Sequence, residues 1–218
     1  MRVSMIHLSP LNRRRWEQFK RNRRGYWSLY IFLLLFVLSL GAEFIANDKP
    51  LMVWFDQALY CPVLVSYPET TFGGFFPTEA DYRDPAVQDL IQDKGWMLWP
   101  PIPFSYDTVN YSLDEAVPSS PSPENWLGTD DNGRDVLARL IYGFRISVLF
   151  GLALTGLSSL VGIVVGAVQG YYGGKIDILG QRFIEIWSGL PVLFLLIILS
   201  SFVQPNFWWL LGIMLLFS

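Results

Sequence analysis

A run of 25 uncharged residues, Ile146 to Gly170, constrains this chain more than any other feature. As a helix rising 1.5 Å per residue it reaches ~37 Å, enough to cross the ~30 Å hydrocarbon core of a bilayer. Two more runs of the same kind flank it. Trp27 to Ala42 carries no charge and extends to Ala46 with Glu43 as the one interruption, and Ile186 to Val203 is again uncharged. With 52% hydrophobic and only 16% charged residues, against about 25% charged in soluble domains, the pattern predicts a polytopic membrane protein.

The charges are segregated. Residues 1–25 hold eight basic residues and one acid, Glu17, whereas residues 47–145 hold fifteen acids and six bases. A basic flank on the first apolar run places residues 1–25 in the cytoplasm by the positive-inside rule. A nucleic-acid-binding arm is the weaker reading, because the apolar segment follows at once. That segment, 26–46, exceeds the apolar core of a signal peptide and lacks small-residue cleavage chemistry near Ala42, so an uncleaved helix is expected. Cys61 stands alone and His7 lies in the basic tail, so neither disulfide, catalytic zinc nor histidine triad is expected.

Residues 47–125 then fall outside. Prolines such as Pro62, Pro77, Pro100 and Pro103 argue against long helices and central strands, and predict an irregular segment. A short helix over Ala86–Asp93 is signalled by Asp84 as cap and Pro85 as first residue. The run Trp96 to Tyr106, with Trp99 and Phe104, is too apolar to stand free. It rests on the membrane interface, on its own subunit or on an external partner, and Trp96, Trp99 and Phe104 are the candidate contacts to a binding protein or gate. Pro118 to Pro123 reads as an extended linker.

The stretch from Asn125 to Arg145 carries the densest motif, N-W-L-G-T-D-D-N-G-R-D-V-L-A-R-L-I-Y-G-F-R. Thr129 or Asp130 is expected to cap an amphipathic helix over 126–145 with an acidic first turn. Val136, Leu137, Leu140, Ile141 and Phe144 form one face, while Arg134, Asp135, Ala138, Arg139 and Arg145 lie mainly on the other. A calcium loop is excluded, since with Gly133 in the glycine position the first ligand would be Gly128 and the last Arg139. Asp130, Arg134 and Asp135 are expected to form local ion pairs, and Gly128, Thr129, Gly133, Gly143 and Arg145 complete the structural motif.

The crossing over 146–170 carries Ser158, Gly162, Gly166 and Gly170 every four residues, a stripe that lets another helix approach closely, within the subunit or across an interface. Gly173 and Gly174 form a turn in the cytoplasmic segment 171–182, and Asp177 and Glu185 are expected to pair locally with Lys175 and Arg182. A third crossing, 183–203, is expected to kink at Pro191. Gln204 to Asn206 makes the next turn, and residues 207–218 start a fourth crossing. Twelve apolar residues are too few to span a bilayer, so the remainder is expected beyond Ser218.

Trp126 to Ser147, V-G-I-V-V-G-A-V-Q-G-Y-Y-G-G-K-I-D at Val161 to Asp177 and R-F-I-E-I-W-S-G-L-P at Arg182 to Pro191 together resemble the C-type inner-membrane permeases of bacterial dipeptide and oligopeptide ABC importers. The long insertion is similar to that of permeases importing microcin C and peptides. The family pattern carries His-Pro where this chain has Asn125-Trp126. The resemblance implies an all-α, type I ABC-importer fold of about six crossings whose C-terminal part is missing here. It also implies a B-type sister permease, two cytoplasmic ATPases that bind ATP and Mg, and a periplasmic binding protein delivering peptide. The coupling helix that docks on the ATPase is expected after the fourth crossing.

The chain has no P-loop, so no cofactor is expected in it and nucleotide chemistry is assigned to its partners. Peptide import through a subunit of the bacterial inner membrane, with the N-terminus cytoplasmic, is the leading reading. A membrane-anchored periplasmic receptor or scaffold is the alternative, disfavoured because an anchor needs one crossing. A membrane enzyme rests only on the acids of the outer segment, which read more simply as a solvated face.

Overall fold

The computed structural model describes residues 9–113, 115–204, 206 and 207–217; Arg2 and His7 of the basic tail, Pro205 of the Gln204–Asn206 turn, and Ser218 lie outside them. The described chain falls into two compact units, Met1–Arg145 and Ile146–Ser218.

In the first unit the basic tail is helical from Pro10 onward. Helix α1 (Pro10–Arg21) runs to Asn22, which then caps α2 (Arg23–Leu40) by accepting the Gly25 N–H on its side chain. The apolar segment bends at Gly41 and ends in the single turn α3 (Ala42–Ile45), so the helix expected through residue 46 is broken near its end.

The insertion is ordered and partly β, a correction to the all-α, irregular reading. Strands β1 (Met52–Phe55), β2 (Ala58–Tyr60) and β3 (Gly95–Leu98) form an antiparallel sheet in the order β2-β1-β3. The elements occupy windows that lack proline: Leu51 to Cys61 holds the hairpin, and Ala86 to Trp99 holds most of α4 (Pro85–Gln92) and all of β3. Proline therefore bounds the strands instead of preventing them. Asp56 and Gln57 turn the hairpin with φ of 45° and 63°, the backbone of a two-residue turn whose twist matches the strands. Helix α4 starts as expected, with Asp84 accepting the Ala86 N–H and Pro85 in the first turn.

One sheet face carries Val53 and Phe55 into a core with Phe72, Ala80, Tyr82, Val87 and Ile91. Phe72, from the 3-10 turn Glu69–Phe72, meets the rings of Phe55, Tyr60 and Tyr82 edge-on at centroid separations of 5.4–5.7 Å. Burying a ring of this size contributes roughly 1.5–3 kcal/mol. The other face leaves Met52, Trp54, Leu59, Trp96 and Leu98 exposed.

Helix α5 (Val136–Tyr172) is continuous for 37 residues. The separate amphipathic helix expected over 126–145 is thus corrected: residues 126–135 form a loop, and helix starts at Val136. In the second unit, Gly173 with φ of 57° turns the chain from α5 into α6 (Gly174–Ser188), so most of the expected turn over 171–182 is helical. A 63° bend at Gly189–Pro191 separates α6 from α7 (Val192–Ser200), the break that Pro191 signalled. Helix α8 (Phe207–Leu216) follows. Among the described residues, α2 and α5 are long and apolar enough to cross a membrane, and α6 with α7 qualify as a bent pair.

Candidate functional site

The motif folds into a clamp on the first turn of α5. Gly128 has φ of +74°, and a Cβ there would lie 2.3 Å from the Ser119 carbonyl oxygen, so only glycine fits that crossing. Its own carbonyl accepts the Val136 N–H at 3.2 Å. Thr129 is tied to Ser119 both ways: its N–H donates to the Ser119 carbonyl at 3.2 Å, and its Oγ1 accepts the Ser119 N–H at 3.0 Å. The Pro118–Pro123 segment is therefore strapped to the motif and is not a free linker.

Asp135, 1% exposed, caps α5, in place of the expected Thr129 or Asp130. Its Oδ1 accepts the Ala138 N–H at 2.7 Å, which satisfies an orphan donor at the positive end of the helix dipole. Its Oδ2 accepts from Asn125 Nδ2 at 2.8 Å, and Asn125 Oδ1 accepts from Asn110 Nδ2 at 3.0 Å. Asn110 also donates its N–H to the Gly133 carbonyl at 2.8 Å. All three polar side chains are buried, and the chain of bonds runs from the insertion through the motif to the helix end.

Outside this buried chain lies a charged triad. Asp130 accepts the N–H groups of Asn132 and Arg134 on Oδ1, both at 2.9 Å, and Oδ2 receives the Arg134 and Arg139 guanidinium groups. Burial works against its charge, but the bonds from Arg134 and Asn132 outweigh it and hold the carboxyl below its ordinary pKa. The ion pair expected of Asp130 and Arg134 is present. Asp135 instead bonds to an amide and to backbone.

A second junction ties α5 to the end of the first apolar segment. Tyr142 donates its hydroxyl to the Ala46 carbonyl at 2.9 Å, and Arg145 grips both oxygens of Glu43 at 2.8 and 3.0 Å. Between them Ala42, Ala46, Ile102, Phe104, Ala138 and Tyr142 form a buried cluster. Ala138, expected on the polar face, is fully buried and Leu140, expected on the apolar face, is exposed. The helical wheel misassigned both because the insertion, and not lipid alone, covers this turn.

Of the three aromatic candidates in the insertion, Phe104 is buried under the Arg83 guanidinium, 4.2 Å from its ring centroid, and Trp99 packs against the sheet core. Trp96 alone of the three is exposed, on the open sheet face beside Trp54. Gly143 faces open space. In the second unit, Ser158 and Gly162 line an apolar cleft of about 710 Å³ with Val165, Phe183 and Trp187. A Cβ on Gly162, Gly166 or Gly170 would meet nothing within 4 Å, so among the described residues no helix packs into the stripe. Arg182 pairs with Glu185 as expected, while Asp177 accepts from Gln181. No three His, Cys, Asp or Glu side chains converge as metal ligands among the described residues.

Asn110 and Asn125 are the residues that sequence reasoning missed. The one signal was the departure at Asn125 from the family's histidine. The arrangement is one of positioning: the site fixes where α5 begins and which segments it touches.

A family model described as the N-terminal transmembrane domain of oligopeptide transport permease C matches residues 9–90. The inner membrane ABC transporter permease protein YejE of Escherichia coli is 59% identical over 214 residues, covering 98% of this chain and 63% of that protein. The peptidoglycan transport system permease protein YejE of Agrobacterium fabrum is 52% identical over 234 residues, 96% of this chain and 61% of its own length. The dipeptide transport system permease protein DppC of Haemophilus influenzae is 45% identical over 191 residues, 88% of this chain and 47% of its own. The chain is thus similar, over nearly its whole length, to C-type permease subunits of peptide ABC transporters, the YejE permeases among them, and it spans about three fifths of the length of those two relatives.

Proposed function

We propose that this chain belongs to a permease subunit of an ATP-driven peptide importer of the inner membrane, in which it forms part of the translocation pathway. The observation that carries the reading is the 59% identity to a YejE permease over nearly the whole chain. The clamp supports it: buried, fully bonded polar side chains and an anchored helix end suit a scaffold that holds a transmembrane helix in register. The basic start of the chain favours a cytoplasmic N-terminus, which puts the insertion and the clamp on the periplasmic side and Gly173 on the cytoplasmic side. The remainder of the type I fold, a B-type sister permease, two cytoplasmic ATPases holding ATP and Mg, and a periplasmic peptide-binding protein complete the assembly; this chain itself contributes no cofactor site and no nucleic-acid contact.

The substrates are oligopeptides, microcin C among them, and the name of the Agrobacterium relative adds peptidoglycan as a second class. Exposure supports Trp96, of the aromatic set, as the contact to the binding protein or the cover of the outer mouth. Deleting the gene should abolish uptake of labelled peptides and sensitivity to microcin C, and the wild-type gene should restore both. Uptake that persists in the deletion strain overturns the reading. In the same assay Trp96→Ala should lower uptake at unchanged membrane abundance, whereas Phe104→Ala should lower abundance itself.

A further inference from the structure

We infer that α1 is a docking surface for anionic phospholipid, held against the bilayer at the point where α2 enters it. Three observations converge on this. Between Ser9 and Gly25 stand seven basic residues and one acid, Glu17. The acid pairs with Arg13 at 3.2 Å, and the other six cations have no carboxylate within 4 Å among the described residues.

The helix is also two-faced. At 100° per residue Leu11, Trp16 and Phe19 share one side with Arg15 among them, Arg13, Arg14 and Arg21 lie on the other, and Lys20 sits at the border with its Nζ 5.6 Å from the Trp16 ring centroid. The apolar side runs on into α2. Trp16 stacks on Phe19 at 5.5 Å, Phe19 meets Tyr26 at 6.0 Å, and Tyr26 meets Tyr30 at 4.7 Å. Aromatic rings of this kind settle at headgroup depth.

The third observation is the joint. Asn22 alone separates the two helices, with φ of -80° and ψ of 82°, closing α1 through its N–H to the Phe19 carbonyl and opening α2 through its side chain. A helix of 12 residues is ~18 Å long, so no cation on α1 moves far from the membrane surface while α2 lies in it. Unpaired cations at that depth find the phosphates of anionic headgroups. Nucleic acid or an acidic protein surface would match the charge but not the aromatic face that continues into the apolar helix.

The inference rests on α2 crossing the bilayer and not on what the importer carries, so failure of peptide uptake bears on the proposed function alone. The test uses the full-length permease purified with its co-expressed partner subunits, titrated in detergent with phosphatidylglycerol or phosphatidylcholine and read by native mass spectrometry. The wild type should hold phosphatidylglycerol in preference, and Arg14→Gln, Arg21→Gln and Arg24→Gln combined should weaken it on the order of a hundredfold while leaving phosphatidylcholine unchanged. A second readout needs no charge variant. Brominated phosphatidylglycerol should quench the wild type more than a Trp16→Phe protein, and brominated phosphatidylcholine should not discriminate them. Equal phosphatidylglycerol affinity in the triple variant, no Trp16-dependent quenching, or loss of the ATPase subunits from the variant with lipid affinity intact would each overturn the inference.

Discussion

The Asn125 side chain uses its acceptor on Asn110 and its donor on Asp135, so one amide group bridges the insertion and the helix cap. Asn125→Ala leaves a buried carboxylate short of a partner, which costs about 2–3 kcal/mol, since bonds to charged groups are the stronger ones. A neutral imidazole also offers one donor and one acceptor. Asn125→His should therefore retain most of the stability that the alanine variant loses, and thermal unfolding of the two side by side checks it; equal loss in both would show that the bonds are not what matters. Tyr82 is the opposite case. Its hydroxyl is buried without a hydrogen-bond partner among the described residues, and burial, with the negative charge of Glu79, pushes its pKa well up. Tyr82→Phe removes an unsatisfied group and keeps the ring against Phe72, so it should raise stability by about 1 kcal/mol, read as a higher melting temperature.

Elements with a single face were readable, and elements defined by their neighbours were not. Asp84-Pro85 announced α4, and the uncharged runs announced α2 and α5, because caps and bilayer length are local properties. The hairpin β1–β2 was hidden twice over. Met52 and Trp54 on its outer face are as apolar as Val53 and Phe55 on its inner face, which erases the alternation, and Asp56-Gln57 is not a recognisable turn pair. The start of α5 was misplaced because Asp130 and Asp135 look equally fit to cap. The choice between them is made by Asn125 and by the carbonyl of Gly128, ten and seven residues upstream of Asp135. The charged loop ahead of α5 should also be acid-labile. Because the Asp130 carboxyl titrates below its ordinary value when folded, its contribution is complete above the ordinary carboxylate range and is lost as pH falls through the lower folded value. Hydrogen exchange of the Arg134 and Asn132 amides should accelerate, after correction for intrinsic rates, over that window in the wild type, and should lose its pH step in Asp130→Asn.

At the scale of the whole molecule, one of the two core clusters of the first unit gathers on the first turns of α5, the other lying under the sheet. The Glu43–Arg145 pair joins positions 102 apart in sequence and is only partly exposed, unlike the surface pairs of α1 and α6. Either Glu43→Arg or Arg145→Glu alone should reduce membrane abundance, and the double exchange should recover part of it. No recovery would mean that each side chain acts through other groups. Such a pairing was out of reach of sequence reading, which saw Glu43 only as a blemish in an apolar run. Phe32 and Phe144, which meet edge-on at 5.8 Å in the same region, carried no signal beyond their hydrophobicity.

Ala42, Ala46, Ile102, Asn110 and Asn125, which build the clamp around Asp135 and Tyr142, precede them in the chain, and Arg145, whose guanidinium lies over the Tyr142 ring, follows by three residues. Synthesis runs in that same direction, and N-terminal parts fold first. The clamp is thus complete in the order of translation as soon as Arg145 is free to meet Glu43, before α6, α7 and α8 have emerged from the ribosome. Ribosome-bound chains halted after α5 has cleared the exit tunnel should already protect the Ala138 amide. The later helices would then be inserted after the clamp has already set.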